Sequence, residues 1–188
     1  MGSRGQVFAH DTDRKRMKDL WPRIKRAKAH NIQVIDPADL ATHDVLRQGV
    51  DCVMVDAPCT GTGTWRRHPD TKWRVTPNAF AQRLDEQRTV LIQGAKCVKP
   101  GGRLVYVTCS VLAEENENQI ANFLTQAADF KALSHDELNH FIERKERPIS
   151  LPSITTAGHA TGALGLRMTP KSSETDGFFI ACLERAVA

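Results

Sequence analysis

Two short apolar runs, each ending in chemically active residues, constrain this chain more than any other feature. Cys52-Val53-Met54-Val55 stops at Asp56-Ala57-Pro58-Cys59, and Leu104-Val105-Tyr106-Val107 stops at Thr108-Cys109-Ser110. Four consecutive apolar residues without polar alternation read as a strand covered on both faces, the pattern of parallel sheets. The first of these runs is therefore expected to be a central strand. Between them, Pro77 to Val98 reads as a long helix that starts after Thr76 and stops before the turn signal Lys99-Pro100-Gly101-Gly102. Strand, helix and strand in that order predict an α/β fold with a mostly parallel sheet.

The flanking segments extend the pattern. Val7-Phe8-Ala9 reads as a short strand ending at His10-Asp11, and Ile32 to Ile35 as a second, followed by Asp36. Arg14 to Ala29 reads as a helix with Thr12 or Asp13 as its N-cap and a restart at Pro22, where a first helical turn tolerates proline. A polar connection then leads to the run at Cys52. Glu114 to Ala127 reads as another helix, with Ile120, Phe123 and Leu124 on one face. Residues 135–162 are polar and interrupted by Pro and Gly, which predicts an irregular insertion in one domain spanning 1–188. Gly165–Met168 and Gly177–Leu183 are expected to pair as a terminal antiparallel hairpin around a Lys171–Asp176 turn.

Composition excludes several classes. At 188 residues and 40% hydrophobic, the chain can build a core without disulfides or a structural metal. No apolar run approaches the ~20 residues that span a bilayer. Met1-Gly2-Ser3-Arg4-Gly5-Gln6 has neither a signal-peptide core nor the Ser or Thr that myristoylation wants at Gln6. A soluble cytoplasmic protein is expected. Five cysteines, scattered and without a C-x-x-C pair, make a poor disulfide framework and a poor zinc site. The net charge is +4, with basic residues in two clusters. The cluster from Arg14 to Lys28 reads as a solvated helix face. Arg66, Arg67, Lys72 and Arg74 interleave with Trp65, His68 and Trp73, which favours a nucleic-acid partner.

In open α/β sheets, ligands bind outside the carboxyl ends of the strands. Neighbouring parallel strands would bring Asp56, Cys59 and Cys109 to one crevice there. A lone cysteine is usually an inert core residue; two at adjacent strand ends, beside a carboxylate, have few structural reasons to be there. Gly61-Thr62-Gly63 permits close backbone approach but matches neither the dinucleotide fingerprint nor the phosphate-binding loop of nucleotide hydrolases.

Asp56-Ala57-Pro58-Cys59-Thr60-Gly61-Thr62-Gly63, with Arg66-Arg67-His68-Pro69-Asp70 and Lys72-Trp73, resembles motif IV of the Sun/NSUN-type RNA cytosine-C5 methyltransferases. Pro100 to Ser110, followed by Glu114-Glu115-Asn116, resembles their motif VI, and Thr175-Asp176-Gly177-Phe178-Phe179 their last hairpin. The bacterial 16S rRNA methyltransferase B group is the nearest. The resemblance implies a Rossmann-like class I methyltransferase fold, S-adenosyl-L-methionine as cofactor and RNA, rRNA in particular, as partner. It implies Cys109 as the nucleophile that adds to cytosine C6, Cys59 as the residue assisting release, and Asp56 as the group on the cytosine edge and near the cofactor. Asp11 would meet the cofactor's ribose and Asp36 its adenine, with Asp39 as rival for the second role. No motif residue identifies itself as the base for the C5 proton.

Family members carry, before the position of Val7, a strand and glycine-rich turn reading roughly Asp-x-Cys-Ala-Ala-Pro-Gly-Gly-Lys, and an RNA-binding region further upstream. Neither is matched here. The chain is therefore expected to be the C-terminal catalytic portion of a longer protein, binding S-adenosyl-L-methionine weakly or pairing with a second copy. The alternative is a non-catalytic RNA-binding fragment that keeps the fold and the basic surface.

Overall fold

A computed structural model describes residues 4–40, 42–134, 137 and 164–187. The chain divides into two compact units, Met1–Gln48 and Gly49–Ala188. In the first, strand β1 (Val7–Ala9), helices α1 (Arg14–Lys18) and α2 (Leu20–Ala27), strand β2 (Ile32–Val34) and helix α3 (Asp44–Gln48) follow one another. β1 and β2 pair in parallel, Val7 opposite Ile32 and Ala9 opposite Val34. Asp13, rather than Thr12, caps α1, its carboxylate accepting from the Lys15 N–H at 2.8 Å. The helix expected across 14–29 breaks at Asp19, whose N–H turns back to the carbonyls of Arg16 and Met17. α2 then restarts so that Pro22 falls in its first turn, where no intrahelical donor is needed. α3 lies in what the sequence presented as a polar connection.

The second unit holds β3 (Val50–Asp56), α4 (Pro77–Lys96), β4 (Val98–Thr108), α5 (Glu117–Gln126), β5 (Phe130–Ala132), β6 (Leu166–Met168), α6 (Pro170–Ser173) and β7 (Phe178–Arg185). Its sheet runs β3-β4-β7-β5, with β6 also on β7. β3 and β4 are parallel; β7 is antiparallel to β4, β5 and β6. The expected hairpin forms, with Leu166 opposite Ile180 and Met168 opposite Phe178. Its turn contains α6, closed by a capping box between Thr169 and Ser172. Most of the expected insertion at 135–162 lies outside the described residues, Glu137 excepted.

Three elements differ from expectation. β4 does not begin after Pro100-Gly101-Gly102 but runs through them, because the ladder shifts register: Val50 faces Val98, whereas Cys52 already faces Arg103. The extra residues are absorbed as an irregularity while pairing continues on either side. β3, expected to be central, stands at the end of its unit's sheet, with Cys52 exposed and Met54 69% exposed. Only its alternate residues Val53 and Val55 pack on the core. The helix expected over Glu114–Ala127 begins at Glu117, after a 3-10 turn over Ala113–Glu115.

The core of this unit lies where one face of the sheet meets α4 and α5. Thr76 caps α4 through the Ala79 N–H, and Pro77 opens it. Spacing of four residues puts Gln87, Leu91 and Ala95 on the helix's buried side. Leu104, Tyr106, Ile120, Phe179 and Leu183 are wholly buried there. Each such side chain stabilises the fold by roughly 1.5–3 kcal/mol relative to exposure. The Tyr106 hydroxyl donates to the Glu115 carbonyl at 2.8 Å, so the strand and the turn before α5 are tied beside the site. No helix among the described residues is long and apolar enough to cross a membrane.

Candidate active site

The parallel register of β3 and β4 builds the site. Asp56 faces Val107, and the Ala57 N–H continues the ladder to the Val107 carbonyl at 2.9 Å. Both strands therefore end level, and their next residues enter one crevice. Pro58 turns the chain, and Cys59 Sγ comes to 3.4 Å from Cys109 Sγ. The two loops are sewn together beyond that contact. The Gly63 N–H donates to the Cys109 carbonyl at 3.0 Å, the Thr62 and Ser110 hydroxyls share a 2.9 Å hydrogen bond, and the Val111 N–H reaches the Thr62 hydroxyl. Gly61 takes a left-handed turn at φ 70° that a side chain would strain.

Beneath these loops lies a buried polar layer. Glu115 is fully buried, its carboxylate accepting from the Thr60 N–H at 2.8 Å, the Thr60 hydroxyl at 2.5 Å and Gln87 Nε2 at 2.9 Å. Gln87 Nε2 also donates to the Pro58 carbonyl at 2.9 Å. The Thr108 hydroxyl donates to Asn116 Oδ1 at 2.6 Å, and Asn116 Nδ2 donates to the Ser110 carbonyl at 3.0 Å. Burying these groups would be costly without partners. Here their hydrogen bonds hold both cysteine loops.

The two thiols titrate as a pair. Hydrogen bonding from Cys59 lowers the pKa of Cys109 to about 7, against burial and the opposing carboxylates of Asp56 and Glu115. Cys59 moves the other way, raised because its proton is shared with Cys109 and because the site is buried. Either sulfur can donate to the other, and the directions of the two shifts favour ionisation at Cys109 over Cys59. Asp56 is exposed at the mouth of β3.

In the first unit, Asp11 and Asp36 each stand two residues beyond the paired positions Ala9 and Val34, at the carboxyl ends of adjacent parallel strands. Asp11 accepts from the Asp13 N–H at 2.7 Å and lies 3.8 Å from Arg16. Asp36 accepts from the Ala38 N–H at 3.0 Å and from Arg14 at 2.9 Å. The backbone donor first, and Arg14 with it, hold its carboxyl below the ordinary range. Asp39 is exposed, and its N–H serves the Asp36 carbonyl.

Of the residues expected at the β3 and β4 ends, Asp56, Cys59 and Cys109 do gather. Gln87, Thr60, Glu115 and Asn116 complete the site without having been assigned a role from the sequence. For Gln87 a signal existed: an amide on the Gln87-Leu91-Ala95 stripe is a polar group on a core-facing helix side. For Thr60 and Asn116 none did, since their partners are 55 and 8 residues away respectively in the chain.

The fold is that of a Rossmann-like class I methyltransferase. The structure resembles that of NSun6 from Pyrococcus horikoshii crystallised with SFG, with TM-score 0.74 and 25% identity, over 99% of this chain and 43% of that one. The family model described as 16S rRNA methyltransferase RsmB/F matches residues 1–184, and the chain belongs to that family. Ribosomal RNA small subunit methyltransferase B of Shewanella oneidensis is 33% identical over 96% of this chain. The probable methyltransferase B of Synechocystis is 34% identical over 99%. The chain spans 38% and 39% of the length of these two relatives. The cofactor of the family is S-adenosyl-L-methionine. Asp11 and Asp36 fit such a group, being anionic acceptors with side chains 31% and 45% exposed, open to hydroxyl or amino donors.

Proposed function

We propose that this chain carries the nucleophile and release residues of an S-adenosyl-L-methionine-dependent RNA cytosine-C5 methyltransferase acting on rRNA in the cytoplasm. The observation that carries this reading is the 3.4 Å approach of Cys59 and Cys109 at the level ends of two parallel strands. Cytosine C5 is too poor a nucleophile to accept a methyl group unaided. Addition of the Cys109 thiolate to C6 breaks the C5–C6 π bond and places electron density on C5. Asp56, carrying a proton or sharing one with N3, hydrogen-bonds the cytosine edge there as negative charge develops. Bound here, the cofactor would supply the methyl group as an electrophile. Asp11 would accept from its ribose hydroxyls and Asp36 from its adenine amino group. Release requires the C5 proton to leave and the sulfur–C6 bond to break, with the electron pair returning to Cys109. The Cys59 S–H faces that sulfur and stabilises the departing thiolate.

Replacing Cys59 tests this directly. In Cys59→Ala, incubated with 16S rRNA and S-adenosyl-L-methionine, a protein–RNA adduct surviving denaturation is expected, and it should vanish in Cys59→Ala/Cys109→Ala. A second reading, RNA binding without turnover, draws on the exposed Trp73 with Lys72 4.6 Å over its ring and on the exposed Arg66 and Arg67. A protein of that kind would bind RNA and form no adduct.

A further inference from the structure

Glu115 has no role in the chemistry just described, yet every donor to its carboxylate bears on one loop. Thr60 offers both its N–H and its hydroxyl, and Gln87 bonds the Glu115 carboxylate and the Pro58 carbonyl with the same nitrogen. Pro58 and Thr60 flank Cys59. Cys109 has supports that do not pass through Glu115: the β3–β4 register, the Thr108–Asn116 contact, the Asn116 bond to Ser110 and the Gly63 N–H to its carbonyl. We propose that Glu115 is the positioning residue for Cys59, its buried carboxylate setting the Pro58–Thr60 loop so that the Cys59 thiol meets Cys109, and that it thereby governs breakage of the sulfur–C6 bond rather than its formation.

This rests on the covalent reading above. In the affected step the sulfur–C6 bond breaks with its electron pair on Cys109, the C5 hydrogen departs as a proton to water, and the C5–H electron pair re-forms the C5–C6 double bond. Loss of the clamp lets Cys59 drift from the sulfur it must face, while Cys109 keeps its own supports. A carboxylate that only filled space would, when altered, lower stability and slow both steps alike.

The test follows adduct formation and decay on 16S rRNA with S-adenosyl-L-methionine, by denaturing gels after rapid quenching. The proteins compared are the unsubstituted one, Cys59→Ala, Glu115→Gln, Thr60→Val and Thr60→Ser. Thr60→Val removes only the hydroxyl donor, so it serves where Glu115→Gln fails to fold. In Glu115→Gln and Thr60→Val, formation within about twofold of normal, once corrected for the Cys109 thiolate fraction read by iodoacetamide at the same pH, and decay slowed about tenfold or more are expected, since ångström-scale placement carries such factors. Thr60→Ser, which keeps the hydroxyl, should restore decay. Normal decay in both variants, or equal slowing of both steps, while Cys59→Ala traps its adduct, would overturn the role of Glu115 and leave the covalent reading intact. If Cys59→Ala traps nothing, the covalent reading fails, and this inference with it.

Discussion

At Cys109 the thiol's titration is a contest between one hydrogen bond and everything else nearby. Donation from Cys59 favours the thiolate, while burial and the carboxylates of Asp56 and Glu115 oppose it. The donor prevails, and the group ionises at about 7. Because ionisation is required for attack on an alkylating agent, Cys109 modification by iodoacetamide should rise with pH and reach half its limit near that value. In Cys59→Ala the favourable contribution is gone and the opposing ones remain. The half-point should then move above the ordinary thiol value of about 8.5, followed by mass spectrometry of the Cys109 peptide. An unmoved half-point would mean that Cys59 does not hold the proton between them. The pairing of these two sulfurs was legible in the sequence, because each ends an apolar run. The buried layer under them was not, because whether Glu115 or Glu114 turns inward depends on the 3-10 turn that precedes α5.

Among elements, two glycines far apart in the second unit meet backbone to backbone in the site. The Gly177 N–H donates to the Gly63 carbonyl at 2.8 Å, and a Cβ on Gly63 would run into the Gly177 carbonyl. That contact ties the terminal hairpin of β6 and β7 to the Cys59 loop. Backbone cannot yield as a flexible side chain does, so Gly63→Ala should cost about 1–3 kcal/mol, typical of overpacking. A thermal melt of the variant at its unchanged midpoint would contradict the close approach. Helices α4 and α5 were legible from caps and apolar spacing, Thr76-Pro77 before α4 above all, whereas the short α3 and α6 were not. The position of β7 was not. Its residues announce a strand, but insertion between β4 and β5 is a pairing across 50 or more residues, and hydrophobic pattern does not choose among distant partners.

At the scale of the whole molecule, charge bears on the partner. Net charge is a modest +4, but Arg66 and Arg67 share the single carboxylate of Asp176, so this exposed pair keeps a surplus of positive charge beside the cysteine loops. If RNA lies along this pair, Arg66→Ala and Arg67→Ala should each weaken binding and flatten the dependence of log affinity on log salt by about 0.7 per lost phosphate contact. Titrations at several salt concentrations measure this, and unchanged slopes would place the RNA elsewhere. Composition, periodicity and the two cysteine motifs were enough by themselves to determine the α/β class, the carboxyl ends of β3 and β4 and the two cysteines that meet there, because those follow from local order along the chain. The tertiary structure alone decided that the two sulfurs come within 3.4 Å, which carboxylate is buried beneath them and which strand lies beside which. Those depend on distances between residues far apart in sequence, and burial makes each such distance count.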